Sequence, residues 1–226
     1  MMNLGPRVKH ILLISLQRLK MMVQGIYGPR NASLLPAMPE ILKHFGNRSL
    51  VIAEIGARYG ESSEMLLKSL RVHCYFVVDP YECYEGYEND GFFSVLSAVG
   101  GDKIFQETKE KLGRLNPNVR FLRNYSHDPE VTSSIKANSL DLIFIDGNHE
   151  FDFVLRDLQI YWKLLRPGGL LLGDDFHLRS KQKHVTSPYY RPMVFEAVEQ
   201  FSQEIGRSYK TFGAHAGFPK VFMFLK

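Results

Sequence analysis

The 226-residue sequence contains only two cysteines, Cys74 and Cys83, and neither belongs to a Cys-x-x-Cys pair or to a Cys/His pattern with zinc-ligand spacing. That excludes a disulfide framework and a structural zinc as organising features, and both thiols read as free. The sequence also lacks a run of eighteen uncharged apolar residues, so a membrane-spanning helix is not expected. It has no block of one charge sign: 28 Lys and Arg stand against 24 Asp and Glu, for a net charge of +4, with no electrostatic footprint for nucleic acid. Internal repeats and low-complexity tracts are absent too. What is present is a chain that is 45% hydrophobic, enough to bury a substantial core in one globular domain, expected in the cytoplasm.

The apolar pattern alternates between short runs and helical stripes. Leu50 to Gly56, His73 to Val78, Val119 to Asn124, Leu140 to Asp146 and Gly168 to Gly173 read as strands. Between them, helices are expected over Ser62 to Leu70, Asp102 to Leu115 and Pro129 to Lys136, the last with Asp128 as cap and Pro129 in the first helical position. A stripe from Phe151 to Leu165 makes another, and Arg166-Pro167-Gly168-Gly169 reads as the turn that ends it. Pro192 opens a helix through Phe201, and Tyr209 to Gly213 with Val221 to Leu225 reads as a hairpin. Such alternation predicts an α/β fold: a Rossmann-like, doubly wound, mostly parallel seven-stranded sheet with a C-terminal antiparallel hairpin. Tyr81 to Gly101, with one short helix around Phe92 to Ala98, and Phe176 to Arg191 read as functional loops. Residues 1–47 form a separate N-terminal segment. Its apolar stretch His10 to Val23 is interrupted by Arg18 and Lys20 and reads as an amphipathic helix that packs on the domain or on a second copy of the chain, with membrane-surface attachment as the alternative. A short helix over Met38 to Phe45 follows, and residues 48–226 form the domain.

The chemistry-bearing residues gather at expected strand ends, where open parallel sheets bind ligands. Asp146-Gly147-Asn148-His149 closes one strand, and Asp174-Asp175 closes the next. A carboxylate cluster with an imidazole suggests a metal-assisted reaction. His149 suits general-base work because imidazole titrates near neutral pH, or it is a surface residue at the start of the next helix. Asn148 reads as a turn former or a hydrogen-bonding group for substrate rather than a ligand. His177 is a second pocket base or an ordinary loop histidine, and two histidines with one Asp would also compose an iron site of an oxygenase. Elsewhere, Gly56 and Gly60 mark a turn between strand and helix that can approach an anionic group, although Ala57-Arg58 fits a dinucleotide fingerprint poorly. Glu54 precedes that turn, and Asp79 ends the next strand, where it can accept hydrogen bonds from both hydroxyls of a ribose.

The segments Glu54-Ile55-Gly56-Ala57-Arg58-Tyr59-Gly60-Glu61-Ser62, Asp79, Asn124-Tyr125-Ser126-His127-Asp128 and Asp146 with Asp174-Asp175 together resemble the class I S-adenosylmethionine-dependent methyltransferases. In layout they are most similar to the metal-dependent small-molecule O-methyltransferases of the catechol type and of the macrolide and rhamnosyl sugar type, and the resemblance covers roughly residues 48–226. It implies that S-adenosylmethionine lies against Gly56, Ala57, Gly60 and Ser62, with Glu54 at its amino end, Asp79 on the ribose, Ser126 and His127 at the adenine, and Asp146 beside the methyl group. It implies further that Asp146, Asp174 and Asp175 hold a divalent cation, most simply Mg2+, and that His149 is the base for a hydroxyl acceptor, a sugar, phenol or natural product. Asp where the catechol type has Asn and Arg58 inside the glycine turn are departures. A scaffold protein that keeps the fold without the chemistry, and an NAD-dependent oxidoreductase, are the competing readings.

Overall fold

In the computed structural model of the chain, residues 34–82, 97, 99–179, 193–213 and 220–226 are described. The expected N-terminal helix, Cys83, most of the Tyr81 to Gly101 insertion and the loop residues 180–192 lie outside them. A seven-stranded sheet organises the rest, built from β1 (Leu50–Ile55), β2 (Val72–Val78), β3 (Val119–Leu122), β4 (Leu140–Ile145), β5 (Leu165–Gly173), β6 (Lys210–Phe212) and β7 (Val221–Leu225), in the order β3-β2-β1-β4-β5-β7-β6. β1 to β5 pair in parallel, and β7 runs antiparallel to both neighbours. This is the predicted doubly wound architecture with its terminal hairpin.

The central strands are mostly apolar because both faces are covered. Ile52, Leu142, Phe144 and Leu172 point to one side, where α1 (Met38–Phe45), α2 (Glu61–Ser69) and α3 (Gly101–Leu115) supply Ile41, Phe45, Met65, Leu66 and Leu112. Their alternates Ala53, Ile143, Ile145 and Leu171 face α5 (Phe151–Leu164) and α6 (Val194–Ile205), and Val131 of the short α4 (Pro129–Ser133) joins them. Leu34, Ala37 and Met38 are fully buried in the first of these cores. From Leu34 onward, residues of the N-terminal segment thus pack into the same core as the sheet.

The expected turn at Arg166–Gly169 is instead part of β5. Leu165 pairs with Leu140 and Leu170 with Leu142, so the intervening residues bulge opposite Asp141. That Asp is the charged member of an otherwise apolar strand and is buried. Its Oδ2 accepts the Val51 N–H at 2.7 Å, and its Oδ1 pairs with the Arg166 guanidinium supplied by the bulge. One carboxylate thus joins β1, β4 and β5 at the sheet edge away from the strand ends that carry the chemistry. Asp128 occupies the N-cap position of α4 as expected, but its side chain makes no cap hydrogen bond.

The two central strands end in a crossing. Asp146 N–H donates to the Ile55 carbonyl at 2.7 Å, and Gly56 N–H to the Val78 carbonyl at 2.9 Å. Gly56 has φ +80°, and a Cβ there would lie 2.2 Å from the Asp146 carbonyl oxygen. No L side chain fits without moving backbone. Gly56→Ala should therefore destabilise the fold by about 3 kcal/mol, from overpacking added to an unfavourable φ. Denaturant unfolding will measure it, and a midpoint equal to that of the unaltered protein would refute the close approach.

Candidate active site

A cleft of about 350 Å³ opens at the carboxyl ends of β1, β2 and β4. The residues singled out in the sequence for a cofactor, a metal or catalysis line it, with the exceptions of Gly60 and His177. Gly60 is instead the left-handed N-cap of α2, and its α-carbon faces Thr108 and Leu112 of α3, to which a Cβ would approach within 3.1 and 3.2 Å. Its glycine serves helix packing, which a strand–turn–helix pattern cannot distinguish from ligand approach.

The turn after β1 is held by an acid of the neighbouring strand. Asp79 Oδ2 accepts the N–H groups of Ala57 (3.0 Å) and Arg58 (2.9 Å), and Oδ1 accepts that of Tyr81 (2.8 Å). Burial raises its carboxyl pKa, opposed by those three amides. Asp79 is thus a clamp that gathers two loops, with only its remaining lone pairs free to meet a ribose. Arg58 takes a left-handed conformation (φ +54°) that the clamp and the Thr108 hydroxyl, which donates to the Arg58 carbonyl at 3.1 Å, hold in place. Glu54 lies at the cleft floor, almost fully buried, where the Ser63 and Tyr75 hydroxyls both donate to its Oε2. Desolvation outweighs those bonds and pushes its carboxyl up to about 8, so Glu54 is largely protonated at neutral pH. Ser62 lies buried in the first turn of α2.

At the other side of the cleft, Asp146, His149 and Asp175 offer ligand atoms that all lie within 4.8 Å of one another. His149 Nε2 is 3.1 Å from Asp175 Oδ2 and 3.9 Å from Asp146 Oδ1. Asp175 reaches this position through a left-handed backbone (φ +52°), uncommon outside glycine, that turns its carboxylate towards the imidazole. Desolvation raises Asp175, but the hydrogen bond and charge of His149, with the charges of His177 and Lys220, outweigh it and hold the carboxyl below the usual range. Asp146 is shifted upward, first by desolvation, with Asp175 adding to the shift and His149 opposing it. Asp174, the third expected ligand, also lines the cleft, with its Oδ2 3.5 Å from Lys220 Nζ. His177 Nδ1 lies 3.7 Å from Asp175 Oδ1, on the opposite side of that carboxylate from His149. Asn148 forms a local turn, its Oδ1 accepting the Glu150 N–H at 2.7 Å ahead of α5. The carboxylate oxygens of Asp146 and Asp175 suit a hard divalent cation, so the residues present fit such a group.

A model of the family described as a methyltransferase domain matches residues 53–176, a span that contains the glycine turn, the Asp79 clamp and both acidic strand ends. The chain belongs to that family. Among curated proteins, this methyltransferase is 25% identical over 167 residues to a rhamnosyl O-methyltransferase of Mycobacterium tuberculosis, covering 72% of the chain and 58% of that relative's length. It is 23% identical over 188 residues to an uncharacterised protein of Acanthamoeba polyphaga mimivirus, covering 82% and 76%. In fold it is similar to a putative O-methyltransferase from Nostoc punctiforme (TM-score 0.56, 13% identity, 85% of this chain and 54% of that one) and to a putative methyltransferase from Streptococcus mutans in complex with S-adenosylhomocysteine (TM-score 0.53, 12% identity, 81% and 92%). The methyltransferase is of the class I, S-adenosylmethionine-dependent kind. Among its described residues, no helix is long and apolar enough to cross a membrane.

Three cleft residues of the methyltransferase carried no sequence signal. Lys220 arrives only through the antiparallel β7, Phe153 looked like one more apolar residue of a helix, and Asp157 lay hidden in the same helical stripe. The Glu54 shift makes a test of the buried floor. Its folded pKa of about 8 exceeds the unfolded value, so its contribution to stability is complete below about pH 4.5 and is lost as pH rises through about 8. Glu54→Gln, which cannot ionise, should therefore show a smaller fall in Tm between about pH 6 and about pH 9 than the unaltered methyltransferase. An identical fall in both proteins would mean that Glu54 is ionised in the fold.

Proposed function

We propose that the chain transfers the methyl group of S-adenosylmethionine to a hydroxyl oxygen of a small molecule, with His149 as base and a divalent cation as aid. The observation that carries this reading is the convergence of His149 with the carboxylates of Asp146 and Asp175 at one end of the cleft. The rhamnosyl O-methyltransferase relative supports an oxygen acceptor, and a sugar, a phenol or a hydroxylated natural product is the class it favours.

Each residue contributes a definable part. When bound, S-adenosylmethionine supplies an electrophilic methyl group. Gly56, Ala57 and the first turn of α2 at Ser62 would lie along its methionine portion, where backbone N–H groups and the helix terminus favour its carboxylate. Asp79 keeps that turn in shape, and Asp146 borders the reacting end. Asp146 and Asp175 would hold the cation, which supplies a lowered pKa and a fixed direction for the acceptor hydroxyl. Neutral His149 has one nitrogen lone pair with which to take the hydroxyl proton as the oxygen forms its bond to carbon. The imidazolium then stands 3.1 Å from the Asp175 carboxylate, which stabilises the charge that develops on it.

Turnover is read as S-adenosylhomocysteine released on a panel of hydroxylated acceptors. His149→Ala should lower the rate by about 100-fold and flatten the rise in rate around neutral pH, and an unchanged pH profile would remove His149 as the base. Treatment with a chelator should abolish turnover until Mg2+ is restored, while calorimetric binding of S-adenosylhomocysteine survives. Full activity in chelator would take the cation out of the mechanism.

A further inference from the structure

The acidic end of the cleft holds a permanent positive charge that the proposed reaction does not use. Asp146, Asp174 and Asp175 close the neighbouring strands β4 and β5, and the Asp174 N–H donates to the Ile145 carbonyl at 3.1 Å, so the three acids share one stretch of wall. Lys220 lines the cleft with them, and its Nζ lies 3.5 Å from Asp174 Oδ2. Its backbone is fixed at both polar groups. The Lys220 N–H donates to the Phe212 carbonyl at 3.1 Å, and the Lys220 carbonyl accepts the N–H of Phe176, the residue after Asp175, at 2.9 Å. The stem thus starts from a held point, while the ammonium has room to shift: the Lys220 side chain is 29% exposed and that of Asp174 only 4%. Their 3.5 Å separation exceeds the roughly 2.8 Å of a charge-assisted hydrogen bond, so Asp174 does not hold the ammonium to itself. The Lys220 charge reaches the other two acids as well. Desolvation raises Asp146, against which His149 and Lys220 act, and it raises Asp175, where His149, His177 and Lys220 outweigh it. Arg58, the other Lys or Arg among the described residues that line the cleft, belongs to the turn after β1.

Carboxylates gathered in this way repel one another unless a positive charge lies among them. His149 supplies such a charge only when protonated, and the proposed reaction needs it neutral. We propose that Lys220 is the resident counter-cation of Asp146, Asp174 and Asp175, keeping these acids together while no metal is bound and competing with a divalent cation for them. This rests on the divalent cation of the proposed function. An ion that enters among the carboxylate oxygens meets the repulsion of a nearby unit charge, which lowers its affinity, and the partly exposed Lys220 side chain can swing away from it. The ion is then an exchangeable partner rather than a fixed part of the fold. Replacing a lysine that anchored the acceptor would leave cation affinity unchanged, and replacing one that only packed would weaken it. Removing a counter-cation has the opposite sign and tightens cation binding.

The full chain, stripped with a chelator that is then removed by gel filtration, is titrated with Mn2+, and the electron paramagnetic resonance signal of the free ion gives the dissociation constant without any turnover. Lys220→Met keeps most of the stem and removes the charge, and should tighten Mn2+ by about tenfold, whereas Lys220→Arg keeps the charge and should stay within about twofold of the unaltered protein. Without metal, Lys220→Met should unfold at a lower Tm, and added Mg2+ should raise that Tm by more than it raises the Tm of the unaltered protein. Equal or weaker Mn2+ binding in Lys220→Met, or a lowered Tm that Mg2+ does not recover, overturns the role of Lys220 alone when the unaltered protein binds the ion. Absence of Mn2+ binding in both proteins overturns the cation of the proposed function together with it.

Discussion

Where β1 ends, Gly56 turns with positive φ under the Asp146 carbonyl, at a distance that leaves no space for a methyl group. The cleft follows from that contact. Because β1 and β4 come so close, the turn that leads into α2 and the Asp146 to His149 segment share one wall, and the next acidic strand end, at Asp175, lies one strand further along. The Asp79 carboxylate completes the arrangement from the other side by collecting the amides of Ala57 and Arg58. Backbone contacts thus position side chains whose own interactions would be too few to do so, and the cleft is largely formed before any ligand arrives.

Charge is distributed unevenly about this frame. The whole chain is mildly basic, but the cleft is lined by carboxyls held in different states by their surroundings. Glu54 and Asp157 are driven towards the neutral form by burial, whereas Asp175 is held ionised by the histidine beside it. Neutral acids can donate as well as accept, and ionised ones attract cations, so a single residue type serves several purposes according to depth. The acidic strand ends meet basic side chains from two other segments, His149 before α5 and Lys220 before β7.

The sheet and much of the cleft were legible from residue order because apolar runs that end in Glu, Gly or Asp are the direct imprint of buried parallel strands. Asp146 and Asp175 stood out for that reason. Asp157 did not, since a polar residue between Leu155 and Leu158 reads as the solvent face of a helix, and only the folded position of the Ser126 loop shows what it faces. Gly60 was misread because glycine answers equally to a helix cap and to a ligand. Arg166-Pro167-Gly168-Gly169 has the composition of a turn, yet becomes a bulge because Leu165 has already paired with Leu140. Lys220, remote in sequence from the acidic strand ends, gave no signal that it would stand 3.5 Å from Asp174.

The Asp141 carboxylate that joins Val51 and Arg166 lies at the far edge of the sheet from the cleft. Part of the cohesion of the three central strands therefore does not draw on the groups that line the cleft. Mutational drift can rework the cleft residues for a new acceptor while the sheet keeps its register, so a lineage built on this scaffold can change substrates without first having to acquire a more stable fold.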